Sequence, residues 1–204
     1  MPTAREALLD AAHAALSARP WPAVRMVDVS AAAGVSRQTL HNEFGGKDGL
    51  AAALVAGAAA RYLAGAERAL ASPGSPGDRL AALAAWTVRA TRADALVAAL
   101  LTGHWDARLP RPAALSRHLP PQARPRTGAG PPTPGELLGR VRDRAVAVLT
   151  AGHPAGDPAA TAVTCELALR LALSYALVPP PPGLPGDGMP LVRDVVDRLP
   201  DVAA

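Results

Sequence analysis

The chain has few of the residues that stabilise small secreted proteins or carry metal and redox chemistry. It contains one cysteine, Cys165, among 204 residues, so no internal disulfide can form. Aliphatic residues flank Cys165, which favours a small buried side chain over a redox sensor. The five histidines lack the spacing of a zinc site, and no pair of cysteines is present to complete one. We therefore expect no metal, no cofactor and no catalytic residue.

Long hydrophobic runs are also lacking. No uninterrupted apolar run approaches the roughly 20 residues that cross a bilayer. The first residues lack the cationic region and cleavage site of a secretory signal. Half of the residues are nonetheless apolar, which is enough for one or two domains with a real core. The sequence predicts a cytoplasmic globular protein with no membrane partner.

Strand patterns are missing as well, and apolar residues recur at helical spacing along most of the chain. We therefore predict an all-α fold. The predicted helices cover residues 3–18, two short segments within 29–44, 47–70, one or two helices in 78–101 bent near 91–94, 134–150, 157–178 and 191–199. The helix at 157–178 is apolar on several sides, so we expect it to be buried on most of them.

Residues 106–135 contain eight prolines and cannot be helical throughout, because each internal proline removes a backbone hydrogen bond. We predict a loop rich in proline and arginine. Five arginines and one aspartate lie in residues 102–135, whereas residues 1–71 hold seven basic and six acidic residues. The basic loop either attracts DNA without specificity or is a solvated segment that its charges keep extended.

The most informative segment is residues 29–50. Gly34 supplies a residue that tolerates a left-handed turn, and Ser36 is suited to cap the helix that follows. Leu40 and Phe44 are four residues apart, so they share one face of that helix and point inward. Two short helices joined by such a corner are typical of a helix-turn-helix.

The remaining arc of the second helix is polar. Its residues carry hydrogen-bond donors that reach phosphates or base edges: Arg37, Gln38, His41 and Asn42. Lys47, the only lysine of the chain, opens the next helix, where its ammonium and the first backbone amides are placed to hold a phosphate. This composition predicts a DNA recognition helix.

Residues 4–55 resemble the N-terminal domain of the TetR family of bacterial transcriptional regulators. The family pattern is matched by Ala33, Gly34, Val35, Ser36, Arg37, Thr39, Leu40, Phe44, Lys47 and Leu50. The resemblance implies an N-terminal three-helix DNA-binding head and a C-terminal helical domain that binds a ligand and dimerises. We place the head at residues 1–46 and the second domain at 47–204. The predicted DNA-binding residues are Arg25, Ser36, Arg37, Gln38, Thr39, His41, Asn42 and Lys47.

Three positions depart from the family pattern. His41 replaces a tyrosine that contacts the DNA backbone, and its imidazole can still donate. Arg25 replaces a Thr or Ser cap, so the helix loses a side-chain cap and gains a candidate phosphate contact. Glu43 replaces a histidine. Its carboxylate either accepts from a cytosine amino group, turns toward Arg37, or is solvated or paired with another residue of the chain. We favour the last of these interpretations.

The resemblance further implies a repressor that binds a pseudo-palindromic operator as a homodimer. The dimer forms through the helices near residues 157–178 and 190–199, although these helices could instead close a monomeric core. A small-molecule effector would bind among the helices of residues 78–177 and displace the 47–70 helix. Candidate pocket residues are Trp86, Leu100, His104, Trp105 and Tyr175.

Other functions remain open. Two alternatives within the family are an activator and a DNA-binding dimer that does not depend on a ligand. From another class, it is an all-helical small-molecule-binding or interaction protein that no longer binds DNA, an alternative that the nearly neutral head keeps open. The sequence His104-Trp105-Asp106 lacks a nucleophile, so we interpret it as part of a pocket or as a helix-end cap.

Overall fold

The computed structural model describes residues 3–111, 132–151, 157–178 and 192–194. Eight α-helices of seven or more residues lie in this part of the chain, and it contains no strand. They are α1 Ala4–Ala18, α2 Met26–Ala32, α3 Arg37–Phe44, α4 Lys47–Leu70, α5 Pro76–Ala93, α6 Ala95–Thr102, α7 Pro134–Ala151 and α8 Pro158–Leu177. The all-α prediction is confirmed, and the predicted break near residues 91–94 falls at Asp94, which ends α5 and caps α6.

Two predicted segments lie largely outside the described residues. Of the proline- and arginine-rich loop predicted at 106–135, residues 106–111 and 132–133 are described and are not helical, and its last two residues begin α7. Of the predicted helix at 191–199, residues 192–194 are helical and Val192 is buried.

The chain divides into two compact units. One consists of Met1–Ala59 and His104–Pro132, and the other of Ala60–Gly103 and Thr133–Ala204. The helix α4 therefore runs from the first unit into the second. The division of function at residue 47 stays a prediction.

The first unit is built on α1, α2 and α3, with a 3-10 turn at Trp21–Ala23 between α1 and α2. Trp21 is buried, and its backbone N–H donates to the carbonyl of Arg108 at 2.7 Å. Apolar side chains from every helix of the unit fill its core: Leu8, Ala12, Val29, Leu40, Phe44, Leu50 and Leu54. Burial of each large side chain stabilises this small core by about 1.5–3 kcal/mol.

In the second unit, α8 packs against α5 and α7, and α6 packs against both α5 and α7. The buried Tyr62 of α4 lies within hydrogen-bond distance of Thr87 on α5, with 3.1 Å between the two hydroxyls. Burial raises the pKa of Tyr62 to about 12. Cys165 is buried on α8 as predicted, and burial raises the pKa of its thiol to about 12.

The outward side of α8 differs from our expectation. Its inner side is covered by the chain, but Val163 is 67% exposed and Leu167 is 38% exposed. Leu177 and Val178 at its end are also exposed. The expectation that α8 is buried on most sides is therefore not met within one chain, because its neighbours α5 and α7 cover one side of the helix.

By length and composition, α4 and α8 also satisfy the criteria for a membrane-spanning helix, with mean hydropathies of 1.4 and 1.3. Core helices of globular proteins satisfy the same criteria. Both helices here bury residues against the rest of the chain, among them Leu54 and Tyr62 on α4 and Leu169 on α8.

Candidate nucleic-acid interface

The corner between α2 and α3 is built as the sequence predicts. Gly34 has a φ of +67°, in the left-handed region that strains any other residue, and an added side chain would meet no neighbouring atom. Ser36 then caps α3, because its hydroxyl accepts from the N–H of Thr39 at 3.0 Å. The hydroxyls of Ser36 and Thr39 are 2.9 Å apart and share one hydrogen bond, which leaves one hydroxyl hydrogen for another acceptor.

A close approach between helices fixes the far end of α3. A side chain on Gly49, in the first turn of α4, would collide with the carbonyl of Phe44. Phe44 and Leu40 are both buried in the head. The absence of a side chain at Gly49 lets α4 start directly beside the end of α3, and the cap at Ser36 holds the other end of α3.

The outer side of α3 is exposed and polar. Arg37, Gln38, His41 and Asn42 are all exposed. Gln38 Nε2 donates to Asn42 Oδ1 at 2.8 Å, across one helical turn. The predicted polar arc therefore exists, and two of its members are hydrogen-bonded to each other.

An open cleft of about 500 Å³ lies where α2 begins and α3 crosses it. Its lining residues are Arg25, Met26, Val27, Arg37, Gln38, Leu40, His41 and Gly46. Four of the eight predicted DNA-binding residues thus face one concave surface, with two guanidinium groups beside an imidazole and an amide. Such a surface offers hydrogen-bond donors of the kinds that contact phosphate oxygens and base edges.

The side chain of Arg25 does not cap α2. Its Nε and Nη2 donate to Asp28 at 3.1 and 2.9 Å, and Asp28 also accepts from Arg19 at 3.1 Å. The hydrogen bonds from Arg25 are the main reason that the pKa of Asp28 is lowered. The guanidinium of Arg25 remains exposed, so Asp28 orients the charge and does not bury it.

Lys47 makes contacts within the head. Its Nζ donates to the carbonyl of Pro22 at 3.1 Å and lies 5.3 Å from the ring centroid of Trp21. An ammonium has three hydrogens, so this bond leaves two for a phosphate. The structure therefore gives Lys47 a role that the sequence analysis missed, which is to tie the start of α4 to the turn before α2.

Glu43 forms an intramolecular pair, as favoured above, but its partner is Arg5. Arg5 Nη1 donates to the backbone carbonyl of Glu43 at 3.2 Å and lies 3.5 Å from its Oε2. The same guanidinium stands 4.6 Å from the ring centroid of Phe44. Arg5 thus holds the end of α3 and partly neutralises the carboxylate of Glu43. Sequence reasoning missed Arg5, since 38 residues separate the two partners.

The five candidate pocket residues fall in different compact units. His104 and Trp105 belong to the first unit, and Trp86, Leu100 and Tyr175 belong to the second. Trp86 donates its indole N–H to the carbonyl of Tyr62 at 3.0 Å, and Leu100 is fully buried. The carbonyl of Tyr175 accepts from Arg92 at 2.6 Å. These contacts are part of the fold, and the ligand pocket stays a prediction.

The sequence of the head matches known proteins. Residues 8–54 match a family model described as bacterial regulatory proteins, tetR family. Over 47 residues, 23% of this chain, the sequence is 51% identical to the HTH-type transcriptional regulator AlkX of Mycobacterium tuberculosis (strain ATCC 25618 / H37Rv). The match spans 22% of the length of that relative, so it covers a small part of both chains.

Solved structures share the fold of the described part of this chain. The TetR family repressor AlkX from Dietzia sp. strain DQ12-45-1b, implicated in biodegradation of n-alkanes, has a TM-score of 0.54 at 24% identity and covers 98% of this chain and 97% of that one. The fatty acid degradation regulator FadR from Bacillus halodurans has a TM-score of 0.55 at 13% identity and covers 100% and 98%. These likenesses show a helix-turn-helix head and a helical C-terminal domain. The match to the tetR family model spans residues 8–54, so the chain is similar to regulators of that family in its N-terminal segment and in its fold.

Proposed function

We propose that the protein is a ligand-responsive transcriptional repressor that binds a pseudo-palindromic DNA operator as a homodimer. The observation that carries this proposal is the outward face of α3, where exposed hydrogen-bonding side chains lie opposite the buried Leu40 and Phe44 and beside the cleft. A helix of this kind fits the major groove, where base edges present distinct patterns of donors and acceptors.

The predicted DNA-binding residues divide into two roles. Gln38 and Asn42 point furthest from the core, so they meet base edges. The remaining residues meet phosphates, through guanidinium, imidazole, hydroxyl or ammonium donors: Arg25, Ser36, Arg37, Thr39, His41 and Lys47. The head has little net charge, so its affinity rests on these few placed groups. The pair between Arg5 and Glu43 removes the main electrostatic objection to DNA binding, since the carboxylate is partly neutralised within the chain.

The exposed side of α8 supports the homodimer. Val163, Leu167 and Leu177 are exposed large hydrophobic residues, and Arg170 and Ser174 complete a stripe with alternating steps of four and three residues. This spacing is typical of the contact line between paired helices. A second copy of the chain would cover the stripe, with a contribution from the helix predicted near 190–199, and a two-fold dimer presents two recognition helices.

We propose further that a small molecule releases the operator by binding among the helices of residues 78–177 and shifting α4. Such a ligand acts only through a higher affinity for the conformation that does not bind DNA. The two solved relatives are named for n-alkane biodegradation and fatty acid degradation, so straight-chain fatty acids are the first compounds to test. A repressor of this kind acts in the cytoplasm and is not an enzyme.

The test uses the DNA interval between this gene and a divergently oriented neighbour, if it contains an inverted repeat. Fluorescence anisotropy should show binding at nanomolar concentrations and a clear preference over random duplex. The variant Arg37→Ala should lose affinity and keep its helicity by circular dichroism. Equal affinity of the wild-type protein for the interval and for random DNA would overturn the proposal. Addition of a fatty acid then tests release on the same complex.

A further inference from the structure

The hydrogen bond between Gln38 and Asn42 lies at the centre of the outward face of α3. An α-helix turns about 100° per residue, so two residues four positions apart nearly coincide in direction. With this rotation per residue, Gln38 and Asn42 point away from the direction that Leu40 and Phe44 share. Because Leu40 and Phe44 are buried, the amide pair lies on the side of the helix that points furthest from the core.

The bond determines which groups of the two amides remain for a partner. Gln38 Nε2 has given one hydrogen to Asn42 Oδ1. Gln38 keeps its other amide hydrogen and its carbonyl oxygen, so it presents one donor and one acceptor side by side. Asn42 has used an oxygen lone pair and keeps both of its amide hydrogens, so it presents chiefly donors.

These remaining groups match different base edges. In the major groove adenine presents the N7 acceptor beside the N6 amino donor, and a glutamine amide pairs with both at once. Guanine presents two acceptors there, which a single amide with one free hydrogen satisfies only in part. The donors of Asn42 suit an acceptor on the neighbouring base pair, such as the N7 or O6 of guanine or the O4 of thymine.

We propose that Gln38 reads the adenine of one A·T base pair in each half-site, and that Asn42 is the positioning residue that holds the Gln38 amide for this contact. A free glutamine side chain has three rotatable bonds and loses their freedom when it binds. The bond to Asn42 restricts this freedom before DNA arrives, so the amide is preorganised for the adenine. The inference rests on the proposed DNA binding and assigns one base pair of the target.

The test is selection of binding sites from a randomised duplex pool by the full-length protein, followed by affinity measurements on the selected site. The wild-type protein should select an A·T pair at one position of each half-site. Gln38→Ala should relax that position, with a loss of preference of about tenfold. Gln38→Glu should instead favour C·G there, because a carboxylate accepts from the cytosine amino group and cannot donate to N7.

The role of Asn42 is tested separately from folding. Asn42→Ala should reduce the preference for A·T at the same position, and it should also relax the neighbouring base pair that the amide donors of Asn42 contact. His41→Ala, on the flank of the same helix, should weaken binding to all sequences and leave the A·T preference intact. Both residues are exposed, so each variant should keep the helicity of the wild-type protein.

A modified base tests the contact itself. Replacement of the selected adenine by 7-deazaadenine removes the N7 acceptor, so it should weaken binding of the wild-type protein about tenfold and have little effect on Gln38→Ala. If the wild-type protein selects no site at all, the proposed function fails. If a site is selected but Gln38→Ala relaxes no position, relaxes a G·C pair, or responds to 7-deazaadenine as the wild type does, the inference alone fails.

Discussion

Helices α3 and α8 each bury one face in the chain and leave the other exposed, but the two exposed faces have opposite chemistry. On α3 the exposed side chains are amides, an imidazole and a guanidinium, whereas on α8 they include Val163 and Leu167. Exposed polar groups are solvated at no cost, so α3 is stable without a partner. Exposed aliphatic groups gain free energy only when another surface covers them. This difference is consistent with the partners proposed above, DNA for α3 and a second copy of the chain for α8.

The largest effect is expected when the exposed face of α8 is made polar. The double variant Val163→Glu with Leu167→Glu places two carboxylates on the stripe, and the desolvation of these charges opposes dimerisation. Analytical ultracentrifugation should show a monomer. Affinity for a two-half-site operator should fall at least a hundredfold, because a monomer reads one half-site only.

The matched control adds a carboxylate at an exposed position outside the stripe. Ala64 on α4 is exposed and belongs to the same compact unit. Ala64→Glu should therefore keep the dimer and the operator affinity. A dimer in the double variant would show that α8 is not the interface, and the contrast between the two helices would lose its functional meaning.

The presentation of α3 is tested at the corner that precedes it. Gly34→Val forces a β-branched residue into a left-handed conformation, which costs about 1–2 kcal/mol or more. Thermal unfolding should shift downward by several degrees, and DNA affinity should fall because the angle between α2 and α3 changes. Native stability in this variant would contradict the turn geometry.

A second glycine substitution separates backbone strain from the addition of a methyl group. Gly139 lies within α7, and a Cβ there would meet no neighbouring atom. Gly139→Ala should raise the free energy of unfolding by up to about 1 kcal/mol, since alanine favours the helix more than glycine does. A loss of stability in Gly34→Val and a gain in Gly139→Ala would show that the φ angle of Gly34 causes the loss.

The two exposed faces also differ in how well the sequence predicts them. The polar arc and the buried pair of α3 follow from local spacing, and so does the cap at Ser36, because all partners lie within a few residues. The ion pair between Arg25 and Asp28 is equally local, so the same kind of reasoning could predict it. The face of α8 that is exposed depends on where α5 and α7 pack, which no local pattern specifies.

Long-range contacts explain the remaining differences within the head. Lys47 pairs with a carbonyl 25 residues away, and Glu43 pairs with an arginine 38 residues away. The residues of each pair come together only when α1, the turn at Trp21–Ala23 and α4 have packed. A sequence pattern predicts the charge of such residues but not which of the available opposite groups will lie within reach.

Arg37 and Lys47 are both basic, but the first faces solvent and the second makes contacts that hold the head together. Arg37 is exposed at the cleft, whereas Lys47 is half-buried and bonded to Pro22. Arg37→Ala should lower DNA affinity and reduce the slope of log affinity against log salt by about one per lost phosphate contact, with unchanged stability. Lys47→Ala should also lower the free energy of unfolding, by about 1 kcal/mol.

Lys47→Arg provides the control, since it keeps the charge and changes the shape of the donor. Thermal unfolding and salt-dependent anisotropy on all three variants give both readouts. If Lys47→Ala unfolds at the wild-type temperature, the contacts with Pro22 and Trp21 contribute nothing and Lys47 acts on DNA alone. If neither alanine variant changes DNA affinity, the DNA assignment of both residues is wrong.

The smallest effect concerns the carboxylate at the edge of the polar face of α3. Arg5→Ala removes the partner of Glu43 and the contact with Phe44, and exposed pairs of this kind contribute less than about 1 kcal/mol to stability. The uncompensated carboxylate then repels nearby phosphates, so operator affinity should fall about threefold at low salt. Since salt screens exposed charges within about a nanometre, the loss should disappear at high ionic strength. Adding Glu43→Gln to Arg5→Ala should restore the affinity. If it does not, Arg5 acts by holding Phe44 and the end of α3 in place, and the charge of Glu43 has no part in DNA recognition.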